Sequence, residues 1–143
     1  MTSDIETLLT SLAQKLLKAI QHLEYSFKKI EQLSPEVETL SLEKLEHWES
    51  FSARFGRSAD LFLSKYLRTY IQYHEPGFRG SFRDLVNVAE KLGVIEDANI
   101  WAEIKQLRNI SAHEYEEEKL SEHFKKMRDY APFILKIKEI LKT

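Results

Sequence analysis

The chain has 143 residues, 43% hydrophobic and 31% charged, with four glycines, three prolines and no cysteine. That is one domain's worth of soluble, helical composition, able to bury roughly two-thirds of its unfolded surface around one core, and it excludes disulfides, thiolate nucleophiles and cysteine zinc sites. A net charge of −2 argues against a general polyanion binder. No stretch approaches the roughly 18–20 apolar residues of a membrane span and no signal-peptide pattern opens the chain, so the expected location is cytoplasmic, away from any membrane.

From about Asp4 to Gln32, Ile5, Leu9, Leu12, Leu16, Ile20, Leu23, Phe27 and Ile30 recur at steps of three and four. This is one apolar stripe on a long amphipathic helix. Thr2 and Ser3 are positioned to cap it, with Asp4 and Glu6 favourable to its dipole. Ser34-Pro35-Glu36 reads as a stop and a new start, Ser34 capping and Pro35 in the first helical position. A second long helix is predicted from about Ser41 to Tyr73, carrying Leu45, Trp48, Phe51, Phe55, Phe62, Tyr66, Tyr70 and Tyr73. Gly56 inside it costs about 1 kcal/mol relative to alanine and marks a close contact or a bend.

His74 to Gly80 combines a proline with two glycines and is the clearest loop. Ser81 is placed to cap a third helix through Leu92, with Gly93 as its left-handed C-terminal cap. Asp97 is placed to cap a fourth, carrying Ile100, Trp101, Ile104 and Leu107. A fifth starts near Lys119 and carries Leu120, Phe124, Met127, Ala131, Ile134 and Leu141, with Pro132 expected to kink or restart it. The predicted fold is all-α: a single domain over residues 1–143, an up-and-down bundle of four long helices plus a shorter one.

Charge is unevenly distributed. Residues 1–50 carry five lysines against nine acidic residues, whereas residues 51–83 carry Arg54, Arg57, Lys65, Arg68, Arg79 and Arg83 against Asp60 and Glu75. The middle of the chain therefore supplies either a local basic surface or a solvated helix face. The acidic run Glu114, Glu116, Glu117, Glu118 and Glu122 reads as a solvated helix start.

Chemistry concentrates in the run Arg108-Asn109-Ile110-Ser111-Ala112-His113-Glu114-Tyr115. An arginine keeps its charge at neutral pH while a histidine can take and give a proton, a pair suited to phosphate-ester cleavage without a metal. RNA carries its own nucleophile in the 2′-hydroxyl, so RNA rather than DNA is the expected nucleic acid. His113 is the candidate base, Arg108 the candidate holder of the phosphoryl oxygens, and Asn109 a supporting residue. On a continuous helix Arg108 and His113 would stand about 140° apart, so either the helix breaks near the run or a second chain completes the site. The histidines lack a His-Glu-x-x-His pair and no third ligand stands near His113 and Glu117, so neither a metal nor a cofactor is expected.

Arg-x4-His-x-Tyr in the last third of a small helical chain, with Phe82-Arg83-Asp84-Leu85-Val86 and the Trp101 helix upstream, resembles the HEPN family. It is most similar to the HepT-like proteins, or nucleotidyltransferase substrate-binding proteins, paired with minimal nucleotidyltransferases. The resemblance implies a homodimer with a metal-independent endoribonuclease site, Arg108 and His113, in its cleft, acting on tRNA or mRNA as the toxin of a toxin–antitoxin pair. It also implies a nucleotidyltransferase antitoxin as partner and Tyr115 as the acceptor of regulatory adenylylation. Adenylate on Tyr115 would place negative charge beside Arg108 and compete for it. The rival reading is a non-catalytic module that presents a nucleotide or substrate to a separate nucleotidyltransferase; a third is a purely structural helical partner.

Overall fold

The computed structural model describes residues 4–110 and 117–141. Its helices, in chain order, are α1 (Asp4–Ile30), a 3₁₀ turn (Val37–Thr39), α2 (Leu42–Asp60), a π-helical segment (Leu61–Leu67), α3 (Arg68–His74), α4 (Phe82–Lys91), α5 (Ala98–Asn109), α6 (Glu117–Leu135) and α7 (Ile137–Leu141). α2, the π segment and α3 follow one another without a break, so the predicted second helix is one long rod. Among the described residues there is no strand, and the all-α bundle expected from the sequence is the observed architecture.

Most of the predicted apolar stripe on α1 is the buried one, with Leu12, Leu16, Ile20, Leu23 and Ile30 in the core and Leu9 and Phe27 packed at its margin. It lies chiefly against α2, with α6 closing over both and α5 packed on α2 and α6. Trp48, Phe51 and Phe55 of α2, Trp101 and Ile104 of α5 and Phe124 of α6 fill the space between them.

The π segment answers a sequence pattern. Phe55, Ala59, Leu63, Leu67 and Ile71 are all buried, yet residues at successive steps of four advance by about 40° each on an α-helix. Such a row would spiral off the core, and the wider i→i+5 turn of Leu61–Leu67 counters the drift.

Local signals place the other ends. Ser81 forms a reciprocal capping box with Asp84, and Asp97 accepts from the Asn99 N–H at 2.8 Å. Gly93, at φ 78°, closes α4 by donating to Glu90 O while Val94 N–H reaches Ala89 O, the paired bonds of a left-handed helix stop.

One expectation is corrected. Ser34 does not open a helix with Pro35 in its first position. Its hydroxyl accepts from the Glu36 N–H two residues on, only the 3₁₀ turn follows, and Ser41 caps α2 through the Lys44 N–H. The connection is fixed from outside, by Val37 N–H donating to Ser121 Oγ and Arg128 donating to Leu33 O. Pro132 lies inside α6, and the helix restarts later, at Ile137. Pro132 is exposed, so the Arg128 carbonyl it deprives of a partner is on the outward side, within reach of water. The expected caps Thr2 and Ser3 lie outside the described residues.

Candidate functional site

α5 buries Trp101, Ile104 and Leu107, which turns the next residue, Arg108, outward toward α2. There it meets Gly56. A Cβ at position 56 would stand 2.8 Å from Arg108 Cδ and 3.2 Å from Nε. The glycine suspected from the sequence is therefore a close contact, a notch in α2 across which the arginine stem lies.

One turn further along the same face of α2, Asp60 Oδ2 accepts from Arg108 Nε at 2.8 Å. Both side chains are nearly half exposed, 45% and 49%, so the pair contributes at most about 1 kcal/mol to stability. Its effect is orientation. With Nε engaged, the two Nη groups of Arg108 have no partner among the described residues and form a fork of N–H donors at the protein surface.

Two open grooves flank this ridge. One, of about 680 Å³, runs from Glu49 and Ser52 past Gly56 to Asn109, Ile110 and Met127. The other, of about 640 Å³, is bordered by Ser64, Lys65 and Lys105. Arg57, Asp60, Arg108 and Asn109 line both. Among the sequence candidates, then, Arg108 and Asn109 stand together. His113 and Tyr115 lie outside the described residues. α5 ends at Asn109 and Ile110 is extended, φ −91° and ψ 120°, so the helix breaks near the run, one of the two arrangements that the spacing of Arg108 and His113 left open.

The cations of the middle segment do not form one surface. Arg54 donates to Ser26 Oγ and His22 O, Arg68 to Gly80 O and Arg83 to Asn99 Oδ1. Only Arg57 and Lys65 reach the grooves beside Arg108, where Lys105 of α5 joins them. Asp60, Arg57, Lys65 and Lys105 are site residues that sequence reasoning did not assemble. The one available signal was the glycine in an aromatic helix with a carboxylate four residues on.

Behind α5, His123 of α6 is 2% exposed in a third groove whose charged members are Glu103, Lys119, Glu122 and Lys126. Burial, and secondarily the Lys126 charge, hold its imidazole below the ordinary value of 6.5. The unfolded chain therefore binds the proton more readily. Stability contributed by neutral His123 is present above pH 6.5 and is lost as pH falls toward the folded value. Urea midpoints taken at pH 8 and pH 5.5 are expected to fall over that interval, and to fall less in His123→Gln; an equal drop in both proteins would assign the effect elsewhere.

Among the described residues no group of three His, Asp or Glu side chains is arranged to hold a metal ion. None of their helices is long and apolar enough to cross a membrane. A family model described as "Nucleotidyltransferase substrate binding protein like" matches residues 12–143. No curated protein and no solved structure matches the chain.

Proposed function

Since the chain belongs to the nucleotidyltransferase substrate-binding protein-like family, of HEPN type, with residues 12–143 matched, we propose that it works beside a separate nucleotidyltransferase as a metal-independent endoribonuclease. The observation that carries this reading is the setting of Arg108: its stem lies over Gly56, Asp60 holds Nε, and its remaining donors face open grooves at the point where α5 ends. An arginine held in this way is prepared to receive phosphoryl oxygens without reorganising.

In the proposed reaction His113 removes the 2′-hydroxyl proton of the substrate and the 2′-oxygen attacks the adjacent phosphorus. Arg108 neutralises the charge gathering on the non-bridging oxygens. The bond to the 5′-oxygen breaks as that oxygen receives a proton, in a homodimer from the second copy's His113. The products are a 2′,3′-cyclic phosphate and a free 5′-hydroxyl. Asn109, on the rim of both grooves, supports the site, and adenylylation of Tyr115 by the partner would switch it off by occupying Arg108. On this reading the pair is a toxin and its antitoxin, in the cytoplasm.

The family description favours a second reading, in which the same arginine binds a substrate phosphate and presents it to the nucleotidyltransferase without cleavage. One experiment separates the two. Purified protein, shown by mass to carry no adenylate, is incubated with tRNA and total RNA in excess chelator, alongside His113→Ala and Arg108→Ala. The nuclease is expected to yield cyclic-phosphate ends and to lose about 100-fold or more of its rate in either variant. Intact RNA with the parent protein would favour the binding module.

A further inference from the structure

We infer that the groove bordered by Arg57, Lys65 and Lys105 is a phosphate track, binding the backbone of a single-stranded RNA next to the nucleotide held at Arg108. The inference rests on the ribonuclease reading above and adds to it a binding surface on a different set of side chains.

Four cations, Arg57, Lys65, Lys105 and Arg108, line this groove against one carboxylate, Asp60, and that carboxylate is already bonded to Arg108 Nε. Arg57 and Lys65 are exposed, and neither they nor Lys105 has an acidic partner among the described ion pairs. In a chain of net charge −2, a groove of such one-sided charge concentrates anions locally.

Its shape is set by the backbone. Lys65 follows Arg57 by eight residues, which on an α-helix would turn it about 80° away. The π-helical turn between Leu61 and Leu67 reduces that rotation and keeps both cations on the face turned to α5. Across the groove Lys105 lies one turn before Arg108, its ammonium 4.7 Å from the centre of the Phe82 ring, a contact that restrains the side chain while leaving its charge available. Ser64 and Asn109 add neutral hydrogen-bonding groups to the same walls. Cations on both walls of an open groove, with Arg108 in common with the neighbouring groove, match a chain of phosphates better than a single one. The contacts are to phosphate, so they carry no base preference.

The test is binding, not cleavage. Fluorescence anisotropy with a labelled oligonucleotide, 2′-O-methylated at every position so that it cannot be cleaved, is measured across a salt series for the full chain, Lys65→Gln, Lys105→Gln, the double variant, and Lys18→Gln on α1 as control. Folding of each variant is checked by circular dichroism. Each groove lysine is expected to reduce the slope of log affinity against log salt by about 0.7, and the double variant by about 1.4, with affinity down about tenfold or more at low salt. Lys18→Gln is expected to match the parent. A dinucleotide is expected to bind more weakly than a longer oligomer.

Parent-like affinity and slope in the double variant would overturn the track while leaving the ribonuclease reading standing. No binding of the oligomer by the parent would overturn both. Polyglutamate binding as tightly as the oligomer, with the same lysine dependence, would overturn the RNA assignment in favour of an acidic protein surface.

Discussion

Gly56→Ala is expected to fold, to be as stable as the parent or slightly more so, and to cleave RNA about 100-fold more slowly. Alanine at a mid-helix position gains about 1 kcal/mol over glycine, and the half-exposed Arg108–Asp60 pair that it disturbs is worth no more than that. The new methyl would sit 2.8 Å from Arg108 Cδ, closer than two carbons can approach. What moves is the flexible arginine, since the other atom belongs to a helix packed on the core through Phe55 and Ala59. Once displaced, Arg108 loses the Asp60 anchor and the direction of its fork. A shift of about 1 Å in a group that must meet a developing charge costs on the order of 100-fold in rate. Asp60→Ala is expected to act in the same direction more weakly, because the notch remains. Urea melts with single-turnover cleavage of a labelled RNA check both variants. A Gly56→Ala protein that cleaves at the parent rate would show that the observed seat of Arg108 plays no part in the chemistry.

Features of the fold that depend on neighbours in sequence were legible without the structure: the stripe on α1, the caps at Ser81 and Asp97, the glycine stop at Gly93. Each is a bond or a periodicity within one turn or one helix face. What escaped depends on contacts between elements. Ser34 has the residue type of a helix cap, and what leaves the capping to Ser41 instead is that Val37, Leu33 and Ser34 are tied to α6 and Trp48. Pro132 is tolerated because it faces outward. The site divided in the same way. Arg108 and Asn109 announced themselves by residue type, whereas Asp60 and Lys65 are ordinary surface residues in the sequence and join the site only because α5 crosses α2 at Gly56. The run of steps of four from Phe55 to Ile71 was in principle a sign of the π-helical turn, but read one pair at a time each step is equally good α-helix.

The largest effect on stability is expected at Trp48. Trp48→Ala should cost about 3–5 kcal/mol, a large share of the roughly 5–15 kcal/mol that holds a domain of this kind together. The indole is fully buried, stacked on Phe124 of α6 with ring centres 5.2 Å apart and set edgewise to Phe51 at 5.9 Å. Arg128 of α6 lies over its face at 5.5 Å. Its Nε1–H donates to Ser34 O at 3.0 Å, so one side chain joins α2, α6 and the connection after α1. Trp48→Phe keeps a ring against Phe124 but leaves the Ser34 carbonyl without its donor, for an expected cost of about 1–3 kcal/mol. The two variants therefore separate packing from the hydrogen bond. Hydrogen exchange supplies the local readout: in Trp48→Phe the Val37 amide, bonded to Ser121 Oγ, should lose more protection than core amides of α5, because the connection is released at one of its ties while the helices stay packed. A cost below about 1 kcal/mol for Trp48→Ala would mean that α6 is not held against α2 through this ring, and the placement of the α5 end beside Gly56 would then need another support.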